Sequence, residues 1–188
     1  LTLTTGKMSS REGNVLTAEQ LMNQLVERAL EKSPDPLIAE QVAMGALNYL
    51  ILRSAPGSNV VFDIDKALAL DGDSGPYLQY ACVRAASILR GQEAKAEEAY
   101  KKLKNKNTFR AGEVTWPETP YMIERLLPRF REIVTRADKG NAPHLLAQYM
   151  IELSHAFNSF YGNEKIIGGE HELYKLALTQ AYVLTMQK

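Results

Sequence analysis

The chain has 188 residues, 45% of them apolar, and its 22 basic residues are balanced by 22 acidic ones. That balance excludes a global positive field as the means of holding a nucleic acid, so any such contact must use a local surface. A lone cysteine, Cys82, excludes an internal disulfide, and no apolar run approaches the roughly 18 residues of a membrane span; a cytoplasmic, reducing compartment fits this best.

The opening Leu1-Thr2-Leu3-Thr4-Thr5 alternates apolar and polar residues like the end of a strand. It carries no initiator methionine and no signal-peptide pattern, so the chain is expected to be an excised piece of a longer protein. Gly6-Lys7-Met8-Ser9-Ser10 has the residue types that hold phosphates, but it is not a P-loop. The leading glycine of that motif would fall at Leu1, and Met8 stands where a magnesium-binding hydroxyl would follow the lysine.

Thr17 followed by Gln20 has the form of a capping box, and Leu21, Leu25, Ala29 and Leu30 continue at helical spacing to about Lys32. Ser33-Pro34-Asp35-Pro36 breaks that helix. Asp35 is a natural N-cap and Pro36 suits the first position of a second helix, which runs to about Arg53 with Ile38, Val42, Ala46, Tyr49 and Leu50 on one face. A turn at 55–59 leads to a short extended piece from Asn59 to Asp65 and a helical turn over Lys66 to Leu70, followed by a second turn cluster at 71–75.

From Pro76 the pattern is helical through Tyr77, Tyr80, Ala81, Arg84, Ile88 and Leu89, stopping at Gly91. Residues 92–106 are highly charged and end in a solvated helix terminus and loop. Trp116-Pro117-Glu118 is expected to open another helix with Met122, Ile123, Leu126, Phe130 and Ile133 on its apolar stripe, kinked or split at Pro128. Asn141 is expected to cap the next helix, in which Leu145, Leu146, Tyr149, Met150, Leu153, Phe157 and Phe160 recur at three- and four-residue steps. A last helix, with no cap at its end and hence a candidate for truncation, runs from about Leu173 to Leu184. The whole predicts an all-α bundle behind a short leader, with no internal repeat.

Three stretches carry a resemblance to a known family. Lys7-Met8-Ser9-Ser10-Arg11-Glu12-Gly13-Asn14-Val15 resembles the KMSKS signature loop of class I aminoacyl-tRNA synthetases in its arginyl form. Residues 62–68 and Gly72-Asp73-Ser74-Gly75-Pro76-Tyr77-Leu78-Gln79-Tyr80-Ala81 look like the junction at which the arginyl enzymes open their anticodon-binding domain, and Pro143 to Tyr149 with Phe157-Asn158-Ser159-Phe160-Tyr161 resemble its later helix. The order and spacing fit the C-terminal half of an arginyl-tRNA synthetase over nearly the entire chain.

The resemblance implies a division into a signature-loop end of a Rossmann catalytic domain (1–16), a helical connector (17–71) and an anticodon-binding helical domain of the DALR type (72–188). It implies that Lys7, Ser9 and Ser10 meet ATP phosphates, with Met8 and Arg11 beside them, in a full-length enzyme that uses ATP and magnesium to join L-arginine to tRNA(Arg). A cationic loop that meets developing phosphate charge better in the transition state than before lowers that barrier. Ser10 stands where the general signature has its second lysine, and Glu12 where many arginyl enzymes have a lysine; Arg11 supplies part of that charge. The upstream pocket is absent from this sequence, so the fragment is expected to bind no ATP and to be inactive alone.

The resemblance also implies anticodon contact at Tyr77, Tyr80 and Tyr161. Rings at helical spacing serve equally as core, and both readings stand at this point. Gln79 either reads a base edge or faces water, and Arg84 is either a phosphate contact or a surface cation. Lys165 replaces an aromatic residue found at that place in some arginyl enzymes. Lys101, Lys102, Lys104 and Lys106 touch an RNA backbone or are simply solvated. His144, His155 and His171 have no metal-ligand spacing, and His155 is expected to pack or cap a helix. Neither DNA nor membrane is expected as a partner, and no coiled-coil seam argues against a monomer. Two other readings compete: a helical module that binds protein through an apolar face, and the matching region of another class I synthetase such as the cysteinyl enzyme.

Overall fold

The computed structural model describes residues 17–105 and 114–188, together with the backbone of 2–3 and 6–7. Three two-residue strands, β1 (Thr2–Leu3), β2 (Gly6–Lys7) and β3 (Val61–Phe62), form a minimal sheet in the order β2-β1-β3, antiparallel between β1 and β2 and parallel between β1 and β3. The other described elements are helical. They are α1 (Ala18–Leu30), α2 (Pro36–Leu52), α3 (Ile64–Ala67), α4 (Gly75–Leu89), α5 (Glu93–Lys104), α6 (Met122–Leu126), α7 (Phe130–Lys139), α8 (Pro143–Asn163) and α9 (Glu172–Met186). The predicted all-α class holds.

Two compact units can be distinguished. One comprises Leu1–Tyr80 and Arg136–Gln148, the other Ala81–Thr135 and Tyr149–Lys188. In the first, α1 starts on the predicted capping box: Thr17 Oγ1 accepts from the Gln20 backbone at 3.1 Å and Gln20 Oε1 accepts from the Thr17 backbone at 2.9 Å. Asp35 caps α2 through the Leu37 and Ile38 amides, with Pro36 where a missing N–H costs nothing. Leu21, Leu25 and Ala29 of α1 pack with Ala39, Ala43, Ala46 and Leu50 of α2, and Phe62, Ala67 and Leu68 close the cluster. A fully buried Leu such as Leu25 contributes about 1.5–3 kcal/mol through the water it sheds.

The turn before α4 is fastened to α2 by polar contacts. Asp73 accepts from the Tyr49 hydroxyl and, at 2.7 Å, from Arg53 Nη1. Ser74, 2% exposed, accepts from the Tyr77 amide at 3.1 Å and donates to the Ala69 carbonyl, which caps α4 and ties it to the end of α3. Gly75 is required here because a Cβ would lie 2.1 Å from the Gly45 carbonyl oxygen of α2.

In the second unit α5 and α6 pack on α9. The stripe expected around Pro128 is split, as the missing proline N–H demands: α6 ends at Leu126, a 3-10 turn spans Leu127–Arg129, and α7 follows. Phe157 stacks on Tyr182 with centroids 4.3 Å apart and planes 9° apart, and Ser154 Oγ and Tyr182 Oη share a buried hydrogen bond of 2.8 Å. Lys175 is 3% exposed, yet it is on α9 with its ammonium 2.7 Å from Glu164 and donating to the Lys165 carbonyl at 3.4 Å.

Two expectations need correction. The helix expected to open at Trp116 begins at Met122, because Pro117 and Pro120 bias the residues before them to extended backbone and supply no amide hydrogens. Asn141 does not cap α8; with φ 46° it takes the left-handed conformation in the turn that ends α7, where its amide donates to the Asp138 carbonyl at 3.2 Å.

Candidate nucleic-acid interface

The residues singled out in the sequence fall into separate places. Lys7 is placed by its backbone in β2, and Met8, Ser9, Ser10 and Arg11 lie outside the described residues.

In the first unit, Tyr77 is 7% exposed and Tyr80 is 44% exposed. Three residues along a helix is less than a full turn, so the two rings share a side of α4 without sharing an environment. Gln79 Nε2 donates to the Gln41 carbonyl of α2 at 3.0 Å, while its Oε1 is buried with no hydrogen-bond partner among the described residues. That carboxamide occupies the space left by Gly45, where a Cβ would come within 2.5 Å of Gln79 Nε2.

In the second unit Arg84 meets α8. Its Nη1 donates to Asn158 Oδ1 at 2.7 Å, and its guanidinium carbon sits 4.8 Å from the centroid of the Tyr161 ring. Tyr161 is 43% exposed. A guanidinium held over a ring within about 6 Å is attracted by the ring's quadrupole, and the hydrogen bond to Asn158 fixes its plane. The arrangement presents a fixed positive charge beside an open aromatic edge, which suits a phosphate and a splayed base. The sequence singled out Arg84 and Tyr161 separately. Their pairing, and the part of Asn158 as the link, depend on contacts across more than seventy positions of chain.

Two lysines of α5 are engaged within their own helix, Lys101 with Glu97 at 2.6 Å and Lys102 with Glu98 at 2.8 Å, while Lys95 of the same helix pairs with Glu172 of α9. The Glu97 and Glu98 carboxyls are held below their ordinary range by hydrogen bonds from Lys101 and Lys102. Lys106 lies outside the described residues. His155 is exposed on α8, and His171 Nδ1 lies 2.9 Å from Thr115 Oγ1. Cys82 is half-buried, and burial pushes its thiol up against the opposing hydrogen bond from Tyr182. No helix among the described residues is long and apolar enough to cross a membrane.

These features define an all-α helical module with a minimal strand cluster. Residues 78–188 match the model of the DALR anticodon binding domain, and the chain belongs to that family. It is 37% identical to the arginine–tRNA ligase of Treponema denticola over 88% of its own length and 29% of that protein. With the arginine–tRNA ligase of Clostridium botulinum (strain Hall) the identity is 32%, over 96% of this chain and 32% of the relative. The solved arginyl-tRNA synthetase of Thermus thermophilus superposes with a TM-score of 0.72 at 29% identity, covering 98% of this chain and 32% of that one. The chain therefore spans about a third of the length of the relatives it matches, and the resemblance to the arginyl-tRNA synthetase family is borne out by these alignments.

Proposed function

We propose that this chain is the anticodon-reading part of an arginine–tRNA ligase and binds tRNA(Arg). The match of residues 78–188 to the anticodon binding domain carries the reading, and relatives that are arginine–tRNA ligases support it. In the second unit, Arg84 meets a phosphate and Tyr161 stacks on an unpaired base, with Asn158 holding the guanidinium in place. In the first unit, Tyr80 offers its ring, while Gln79, whose carboxamide is turned in against α2, and the buried Tyr77 seat the first turns of α4. The functional division runs 1–16, 17–71 and 72–188, with the last segment the tRNA-binding one.

In the full-length ligase, ATP with magnesium would activate L-arginine, and Lys7, Met8, Ser9, Ser10 and Arg11 would hold the nucleotide. On this reading aminoacylation belongs to the full-length ligase, of which the chain matches about a third. The setting is cytoplasmic and the chain monomeric.

Binding to an arginine-accepting tRNA transcript, beside one with an altered anticodon, at two salt concentrations, tests this. The expected result is a preference for the native anticodon that weakens with Tyr161→Ala and Tyr80→Ala, over a salt-dependent background from phosphate contacts. Equal binding of both transcripts overturns anticodon reading. Absence of any salt-dependent RNA affinity favours the protein-binding helical module instead.

A further inference from the structure

The segment that leads into α6 builds a cleft of its own in the second unit. Val114 is buried, and Thr115 is held by His171, so the following Trp116-Pro117-Glu118-Thr119-Pro120 is anchored at its start. Trp116, Pro117, Glu118, Pro120, Glu124 and Tyr174 line a cleft of about 340 Å³. Its walls are an indole that is 58% exposed, a buried phenol and two rigid pyrrolidine rings.

Its charge is negative. Glu118 and Glu124 both line it, and neither has a cationic partner among the described residues, whereas Glu164 and Glu172 on the same unit are paired with Lys175 and Lys95. The Tyr174 hydroxyl hydrogen-bonds Glu124, and burial first, then that bond, pushes the phenol above its ordinary value of 10.0. The Glu124 Oε2 atom is buried and has no hydrogen-bond partner among the described residues. A carboxylate oxygen withdrawn from water without a donor is costly, and a cation with N–H groups relieves that cost.

We propose that this cleft binds a guanidinium group. A planar guanidinium stacks on an indole face and donates in a fork to carboxylate oxygens, which a compact ammonium cannot do. Glu124 accepts through Oε2, the oxygen that the Tyr174 bond leaves without a donor, Trp116 is the face on which the plane lies, and Glu118 accepts at the rim. The two carboxylates repel phosphate, so the cleft is not a nucleotide site. The inference is independent of tRNA recognition.

Trp116 is the single tryptophan of the chain, so emission excited at the red edge, where tyrosine does not absorb, reports on Trp116. Ethylguanidinium chloride, titrated at millimolar concentration against ethylammonium chloride and sodium chloride of equal ionic strength, should change Trp116 emission saturably. Ethylammonium should bind roughly tenfold more weakly, and Glu124→Gln should weaken ethylguanidinium by a similar factor while circular dichroism is unchanged. Arginine amide and a blocked peptide with an internal arginine separate the sources: tighter binding of the amide assigns a free small molecule, tighter binding of the peptide assigns a polypeptide side chain. No saturable change, an equal response to ethylammonium, or an unaltered Glu124→Gln overturns the proposal. If Glu124→Gln does not fold, calorimetry on Trp116→Phe decides, since loss of the indole must weaken ethylguanidinium and an unchanged affinity is fatal.

Discussion

The guanidinium of Arg84 lies 4.8 Å from the centre of the Tyr161 ring while its Nη1 donates to Asn158 at 2.7 Å, so one side chain of α4 is held by two residues of α8. Tyr161→Ala should lower tRNA affinity by about 5-fold to 150-fold, the loss of one base stack worth about 1–3 kcal/mol. Arg84→Lys keeps the charge but not the planar fork, so affinity should fall severalfold with the salt slope preserved. Filter binding across a salt series reads both quantities.

Gly75 and Gly45 face each other across α2 and α4, and their substitution should not be equivalent. A Cβ on Gly75 meets the Gly45 carbonyl oxygen at 2.1 Å and its carbon at 2.5 Å, atoms that cannot swing aside. Gly75→Ala should cost about 1–3 kcal/mol or more and lower Tm by several degrees. Gly45→Ala meets the flexible end of Gln79 at 2.5 Å, and gains about 1 kcal/mol of helix propensity, so its melting curve should shift less. Thermal circular dichroism compares the two.

Glu164 should make stability sensitive to acid. The hydrogen bond from Lys175 holds its carboxyl below the ordinary 4.5, the largest of the causes acting on it. Its folded value is depressed, so the stabilisation is present above pH 4.5 and is lost as pH falls through the lower folded value. Urea melts from pH 6 downward should show a shallower decline for Glu164→Gln than for the native chain. At neutral pH that variant should already be weakened, because the ammonium of Lys175, 4% exposed, loses its carboxylate partner.

Asp73 ties the turn before α4 to Tyr49 and Arg53. Asp73→Ala should cost about 1–3 kcal/mol, since the Tyr49 hydroxyl is left buried and unmatched. Tyr49→Phe should cost only about 0.5–1.5 kcal/mol, because donor and need disappear together and Arg53 still serves Asp73. Burial, then the bond to Asp73, raises the Tyr49 phenol above its ordinary 10.0. Stability from this group is complete below pH 10 and falls above it, so the alkaline limb of a melt should flatten in Tyr49→Phe.

Much of the helical plan was legible from local chemistry. The Thr17–Gln20 capping box, the Asp35-Pro36 start of α2 and the split at Pro128 each depend on groups within a few positions, so spacing alone located them. The start of α6 was misplaced because Trp116-Pro117-Glu118 resembles a helix opening, while the second proline, Pro120, keeps the chain extended until Met122. Asn141 was placed in the right turn with the wrong part in it, since a residue suited to capping is also one that tolerates positive φ.

The candidate interface was legible only as a set of names. Tyr77 and Tyr80 are indistinguishable by periodicity, yet one ring is buried and the other exposed, because what covers a helix side comes from other elements. Nor does any spacing join Arg84 to Asn158, or leave Glu124 with an unmatched oxygen beside Trp116.

The sequence by itself determined the helical class, the caps and breaks, and the family signature, because these depend on backbone hydrogen bonds and residue types close along the chain. Tertiary structure alone decided which tyrosine meets solvent, which cation is seated on a ring and which carboxylate oxygen is left without a donor. Burial and pairing are properties of distant segments brought together, and no local pattern encodes the neighbour that arrives from seventy residues away.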